Sequence, residues 1–184
     1  MGRKILWIGV IIVAIALFIF LILRQEKKDQ RSFNKYEFPE TIQVENFTNY
    51  QKADTIIMIL ANKIMKWDSI RVLVYYMHDG TNQNGEIELY GIVQRIPFYP
   101  YNYLILLNKN LSFYKLKETL CHEFIHIDQY RDPIYNLQIF GDIAVYKGDT
   151  IKLREVPYDQ RPFEQMAFRN QERILKELDK FLYE

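Results

Sequence analysis

The chain has 184 residues and a formal net charge of +1; beyond the first thirty residues about 150 remain, enough for one domain with its own core. Residues 1–31 carry six Lys/Arg and two Asp/Glu, leaving 18 against 21, net −3, for the body, which argues against a nucleic-acid-binding domain, since such a domain needs a basic face. The single cysteine, Cys121, excludes an internal disulfide and any cysteine-rich zinc knuckle, and is expected as a small buried apolar residue on the back of a helix.

Ile5 to Leu23, ILWIGVIIVAIALFIFLIL, contains no charged residue and is as long as a helix crossing ~30 Å of hydrocarbon must be. Residues 1–23 are therefore expected to form one transmembrane helix and to place the protein in a membrane as a single-pass chain. Ala14 and Ala16 lie inside the apolar run, and Leu23 passes directly into Arg24-Gln25-Glu26-Lys27-Lys28 without an A-x-A-like site, which favours an anchor over a cleaved signal peptide. Basic residues flank the run on both sides, so the positive-inside rule assigns no orientation.

Residues 24–45 are charged and aperiodic and read as a stalk, with the domain occupying residues 46–184. Ala53, Ile56, Ile57, Leu60, Ile64 and Trp67 recur at spacings of three and four, predicting an amphipathic helix over Thr48–Trp67. Ile70–Met77 is β-branched and aromatic on both faces and reads as an interior strand. His78 to Gly85 is a turn-rich run, and Glu86–Leu89 alternates, so the two strands are expected as a hairpin. Pro97 and Pro100 interrupt the chain before a third strand, Tyr103–Leu107.

Ser112 can cap a helix reaching Tyr130. Ile143–Tyr146 and Thr150–Leu153 flank Lys147-Gly148-Asp149 as a small hairpin, and Arg161-Pro162 opens a last helix ending near Leu182. The order predicts an α+β fold with a small, mostly antiparallel sheet.

The chemistry concentrates on His122-Glu123-Phe124-Ile125-His126. On a helix, residues four apart share a face, so the two imidazoles can bind one Zn²⁺ at ~2.0–2.1 Å each. Glu123 stands beside the first of them, where its carboxylate can act as general base toward a zinc-activated water. Leu116, Leu120, Phe124, Ile125 and Ile127 surround the motif, and a polar cluster there would be costly to bury without a metal.

Two histidines leave a catalytic zinc one protein ligand short. The extended H-E-x-x-H-x-x-G-x-x-H pattern fails, since Gln129 and Asp132 replace the glycine and the third histidine. Without the glycine a straight helix carries residue 132 about 9 Å beyond residue 126 and roughly 240° round the axis, which points Asp132 away. Glu164 lies in the first turn of the last helix, on the stripe of Ala167, Phe168, Leu175, Leu178 and Leu182. It can serve either as a ligand or as a complement to the helix macrodipole.

The motif His122-Glu123-x-x-His126 followed by a helical glutamate resembles the gluzincin branch of the zincin metallopeptidases. With Arg161-Pro162-x-Glu164-x-x-Ala167 and the Val145–Asp149 turn it is similar to small bacterial and phage members of that branch, over about Ser112 to Leu182. The resemblance implies a zincin-like domain, Zn²⁺ on His122, His126 and Glu164, Glu123 as general base, and peptide or protein substrates. There is no room for the separate substrate domain of large gluzincins, so a cleft is expected between the sheet edge, the active-site helix and the hairpin.

Tyr158, Arg161 and Tyr130 are candidates for stabilising the transition state. Asp128 could orient an imidazole, although a solvated aspartate is the plainer reading, and His78 is expected in an exposed turn. Tyr99, Tyr101 and Tyr103 read as loop packing rather than a substrate wall. The leading function is a membrane-anchored zinc metallopeptidase; a degenerate zincin-fold module that binds zinc or a partner, and a metal-free membrane-anchored interaction protein, are the alternatives.

Overall fold

Alternation sets the centre of the molecule. Over Ile70–Tyr76, Ile70, Val72 and Val74 turn inward while Arg71 and Tyr75 face solvent, the two-residue period of a half-covered strand. The computed structural model describes residues 41–77 and 89–183, all within one compact unit, Phe38–Glu184. The expected membrane helix, nearly all of the stalk, His78 and its turn, and Glu86–Glu88 lie outside the described residues. Among those described, no helix is long and apolar enough to cross a membrane.

The elements are β1 (Ile42–Asn46), α1 (Ala53–Ile59, continued by a π-helical turn Leu60–Ile64), β2 (Ile70–Tyr76), β3 (Gly91–Arg95), β4 (Asn102–Leu107), α2 (Phe113–Arg131), β5 (Gln138–Phe140), β6 (Ile143–Tyr146), β7 (Asp149–Lys152) and α3 (Pro162–Tyr183). A 3₁₀ turn, Tyr158–Gln160, precedes α3. The fold is α+β, as expected.

The main sheet runs β1-β2-β4-β3, and it is mixed rather than mostly antiparallel. β2 pairs in parallel with β1 and with β4, while β3 runs antiparallel along β4 as the edge among the described strands. Both sides of β2 are therefore filled, which leaves no place for the expected hairpin partner. Alternation reports which face a residue takes and is silent on strand direction. β1 also places Ile42–Glu45 in the sheet, although that stretch reads as stalk in the sequence. The second sheet, β5-β6-β7, is an antiparallel meander that contains the expected hairpin and adds β5.

One face of the main sheet carries the core. Val74, Ile105 and Val93 form a row across three strands, and all three are buried with Ile56, Ile57 and Leu60 of α1 and Leu116, Leu120, Phe124 and Ile127 of α2. α1 starts later than predicted because Asn46 Oδ1 captures the backbone N–H and hydroxyl of Thr48, holding that stretch as a turn. Trp67 falls beyond the helix and stacks on Phe124, with ring centroids 5.6 Å apart.

Ser112 caps α2 as the sequence suggests, its hydroxyl accepting the Lys115 N–H at 3.3 Å. α2 is buried nearly all round, between the sheet and α3. Cys121 is fully buried within it, and burial pushes its thiol up to about 12.

Candidate metal centre

α2 and α3 bring three ligand atoms together. His122 Nε2, His126 Nε2 and Glu164 Oε2 are each 3.1 Å from the other two. All three residues are buried, and among the described residues they form the only group of His, Cys, Asp or Glu able to hold a metal ion. The helical repeat aligns the histidines. Glu164 is presented by the start of α3, where Pro162 sets the first turn and the neighbouring Phe163 and Ala167 are buried.

The second ring nitrogens fix the tautomers. Gln129 Nε2 donates to the Phe163 carbonyl at 2.9 Å, so its Oε1 faces His126 Nδ1 at 2.8 Å as an acceptor. His126 Nδ1 must then carry the proton, which leaves an Nε2 lone pair on the cluster. His122 Nδ1 meets Gln171 Oε1 at 3.1 Å in the same sense. Two imidazole lone pairs and a carboxylate oxygen thus converge without a proton between them, an arrangement that calls for a cation. Ligands around a tetrahedral ion at ~2.0–2.1 Å stand roughly 3.3–3.4 Å apart, close to the spacing observed, so the donor set fits Zn²⁺.

Without a metal, a proton takes that role. Burial works against a charged His126, but hydrogen bonding to Glu164 and the Glu164 and Glu123 charges raise it above its ordinary value. Burial would raise Glu164, yet hydrogen bonding with His122 and His126, the His126 charge and the Tyr158 hydroxyl hold it down to about 2.

Glu123 points to the opposite neighbour, the edge strand. It is buried and accepts the Val93 backbone N–H. Burial raises its carboxyl, the two imidazoles oppose the shift, and the Glu164 charge adds to it. Gly91 explains the close approach of β3, because a Cβ there would overlap Thr119 Cγ2 and stand 3.2 Å from Glu123 Oε1.

The remaining candidates separate. Tyr158 reaches the cluster, its hydroxyl donating to Glu164 and its ring meeting Phe168, which packs on His122 at 4.7 Å. Arg161 supports it from behind, donating to the Leu153 and Val156 carbonyls with its guanidinium 5.4 Å from the Tyr158 ring centre. Tyr130 packs against the Leu137, Ala144, Tyr146 and Phe163 cluster, and burial raises its phenol. Asp132 is absent from the ligand set: it ends α2, and its Oδ1 accepts the Ile134 N–H at 2.7 Å.

Asp128 meets neither imidazole; Gln129 and Gln171 take the orienting role instead. Sequence reasoning read Gln129 only as a missing glycine and did not single out Gln171. Their spacing carried a signal, three residues after His126 and seven after Glu164, each on the ligand's own helical face. Of the loop tyrosines, Tyr103 is buried with its hydroxyl on the Pro100 carbonyl, while Tyr99 and Tyr101 are exposed. No family model, no curated protein and no solved structure matches this chain.

Proposed function

We propose that this protein is a zinc-dependent metallopeptidase tethered to a membrane by its N-terminal apolar segment. His122, His126 and Glu164 hold the ion and Glu123 serves as general base. The observation that carries the reading is the convergence of two imidazole nitrogens and a carboxylate oxygen, mutually 3.1 Å apart and buried, with a second carboxylate beside them. Bound there, Zn²⁺ would supply Lewis-acid chemistry and bring the pKa of water toward ~7.

The chain's own residues account for the rest. Glu123, with its carboxyl raised by burial, takes a proton from the attacking water and returns it to the leaving amine. Tyr158 is the donor assigned to the oxyanion, because its hydroxyl already reaches Glu164. β3 offers the place for a peptide. Tyr90 and Ile96 bond across to Asn108 and Asn102, so the alternate residues Gly91, Val93 and Arg95 direct their backbone groups toward the side of β3 that no described strand pairs, where Glu123 lies. An extended substrate can add to that edge as a strand.

Glu123→Gln keeps the size of the side chain and removes the base, so it should retain the metal and lose at least ~10²-fold in peptide hydrolysis. Unchanged turnover in that variant would remove Glu123 from the mechanism. A chain that binds zinc yet cleaves no peptide in a broad library would instead leave a metal-binding module.

A further inference from the structure

The turn joining β3 to β4 is strongly aromatic and faces solvent. Phe98 is 101 % exposed, Tyr99 59 % and Tyr101 52 %. Phe98 also holds a positive φ of 66°, where glycine or asparagine would be less strained and an exposed aromatic gains nothing from water. The turn is nonetheless well held. Tyr99 N–H donates to the Ile96 carbonyl, Asn102 N–H to the Tyr99 carbonyl and the Tyr103 hydroxyl to the Pro100 carbonyl, while the Arg131 guanidinium lies 5.0 Å from the Tyr101 ring centre. A fixed aromatic tip is a surface prepared for contact.

Topology says what it meets. β1, β2 and β4 are parallel, and Ile42 pairs with Ile70 while Arg71 pairs with Asn102, so all three strands start at one end of the sheet. The aromatic turn leads into Asn102 at that same end. The described chain also enters there, since Thr41 bonds to Asp68 and Ile70. Residues 24–40 alone separate this entry from the apolar Ile5–Leu23 run. Seventeen residues reach about 60 Å at most, so, with the run read as the membrane anchor, the bilayer lies within covalent reach of this end of the domain.

We propose that the Pro97–Tyr101 turn seats in the interfacial layer of the bilayer, with Phe98 at the greatest depth. Phenylalanine and tyrosine suit the headgroup region, where an apolar ring and a polar hydroxyl are both accommodated. Exposed Lys66 and Arg95 stand at the same end of the sheet, with Asp68 beside them, and favour an anionic surface. A second copy of the chain is a poor occupant, because the three exposed aromatic rings offer on the order of 400 Å², against ~800 Å² per partner in a stable interface. Since β3 runs from beside Glu123 directly into this turn, seating it would open the peptide-binding edge toward the lipid surface. The inference rests on reading Ile5–Leu23 as the membrane anchor.

The test uses the 184-residue chain in vesicles of phosphatidylcholine and phosphatidylglycerol, labelled with an environment-sensitive fluorophore at Phe98→Cys, at Tyr99→Cys, or at Lys109→Cys beyond the opposite end of β4. Buried Cys121 stays unlabelled. The expected result is blue-shifted emission at 98 and 99 that is lost in brominated-lipid vesicles, with neither effect at 109. Vesicle-bound protein with labels at 98 and 99 as water-exposed as at 109 overturns the turn's role and leaves the anchor standing. A blue shift that brominated lipids do not quench assigns the turn to a protein contact and also overturns it. A chain that stays in the supernatant overturns both turn and anchor.

Discussion

Gln129 shows how much one side chain can decide. Its amide bridges the Phe163 carbonyl of α3 and the His126 ring of α2, setting both the tautomer and the approach of the helix that delivers Glu164. Gln129→Ala should weaken zinc binding by ~10–100-fold, the scale found for groups that orient ligands. Glu164→Ala should weaken it by at least as much, whereas Asp132→Ala should do little. Side-by-side zinc titrations compare the three, and a larger loss for Asp132→Ala would overturn the ligand assignment. Acid and base act on the metal-free cluster in opposite senses. Lowered Glu164 contributes stability that is full above its ordinary 4.5 and is lost as pH falls toward about 2. Raised His126 contributes stability that is full below its ordinary 6.5 and is lost as pH rises through its higher folded value. The metal-free chain should therefore show its highest melting temperature between pH 4.5 and 6.5. Zinc replaces the shared proton, so the alkaline decline should vanish in the loaded protein and zinc affinity should rise with pH through the His126 transition. A flat pH profile of the metal-free chain would show that the cluster is not coupled in this way.

Among the elements, α2 is the one that every part of the site depends on, and its contact with β3 is the least tolerant. Gly91→Ala should destabilise by ~1–3 kcal/mol, as overpacking does, and should displace Glu123 more than the zinc ligands. Denaturant melts measure the first effect, and retained zinc with reduced turnover would mark the second. Sequence periodicity located α2, its Ser112 cap, α3 and the β6–β7 hairpin because each depends on local rules of capping, turn chemistry and helical spacing. It misjudged the sheet because the pairing of β2 with β1 and β4 joins residues far apart in the chain. Short β1 and β5, of five and three residues, were illegible because they owe their form to neighbouring strands rather than to their own pattern. The His122, His126 and Glu164 cluster was legible for a related reason: two of its members sit one turn apart, and the third is marked by a proline-led first turn. The two glutamines bear no charge and no rare identity, so only the assembled helix pair shows their role.

At the scale of the molecule, an N-terminal apolar run precedes a domain whose strand starts, chain entry and aromatic turn share one end. Deleting residues 1–23 should move the protein from the membrane to the soluble fraction on sedimentation, since interfacial contacts alone give weak, reversible binding. A truncated chain that still pellets with membranes would refute the single anchor. The proposed function requires first that His122, His126 and Glu164 hold an ion. The most direct test of the account is the zinc content of the purified, dialysed chain and its variants. One Zn²⁺ per chain is expected, retained in Glu123→Gln and lost in His122→Ala, His126→Ala and Glu164→Ala. Full zinc occupancy in either histidine variant, or a parent chain that takes up no zinc, would contradict it.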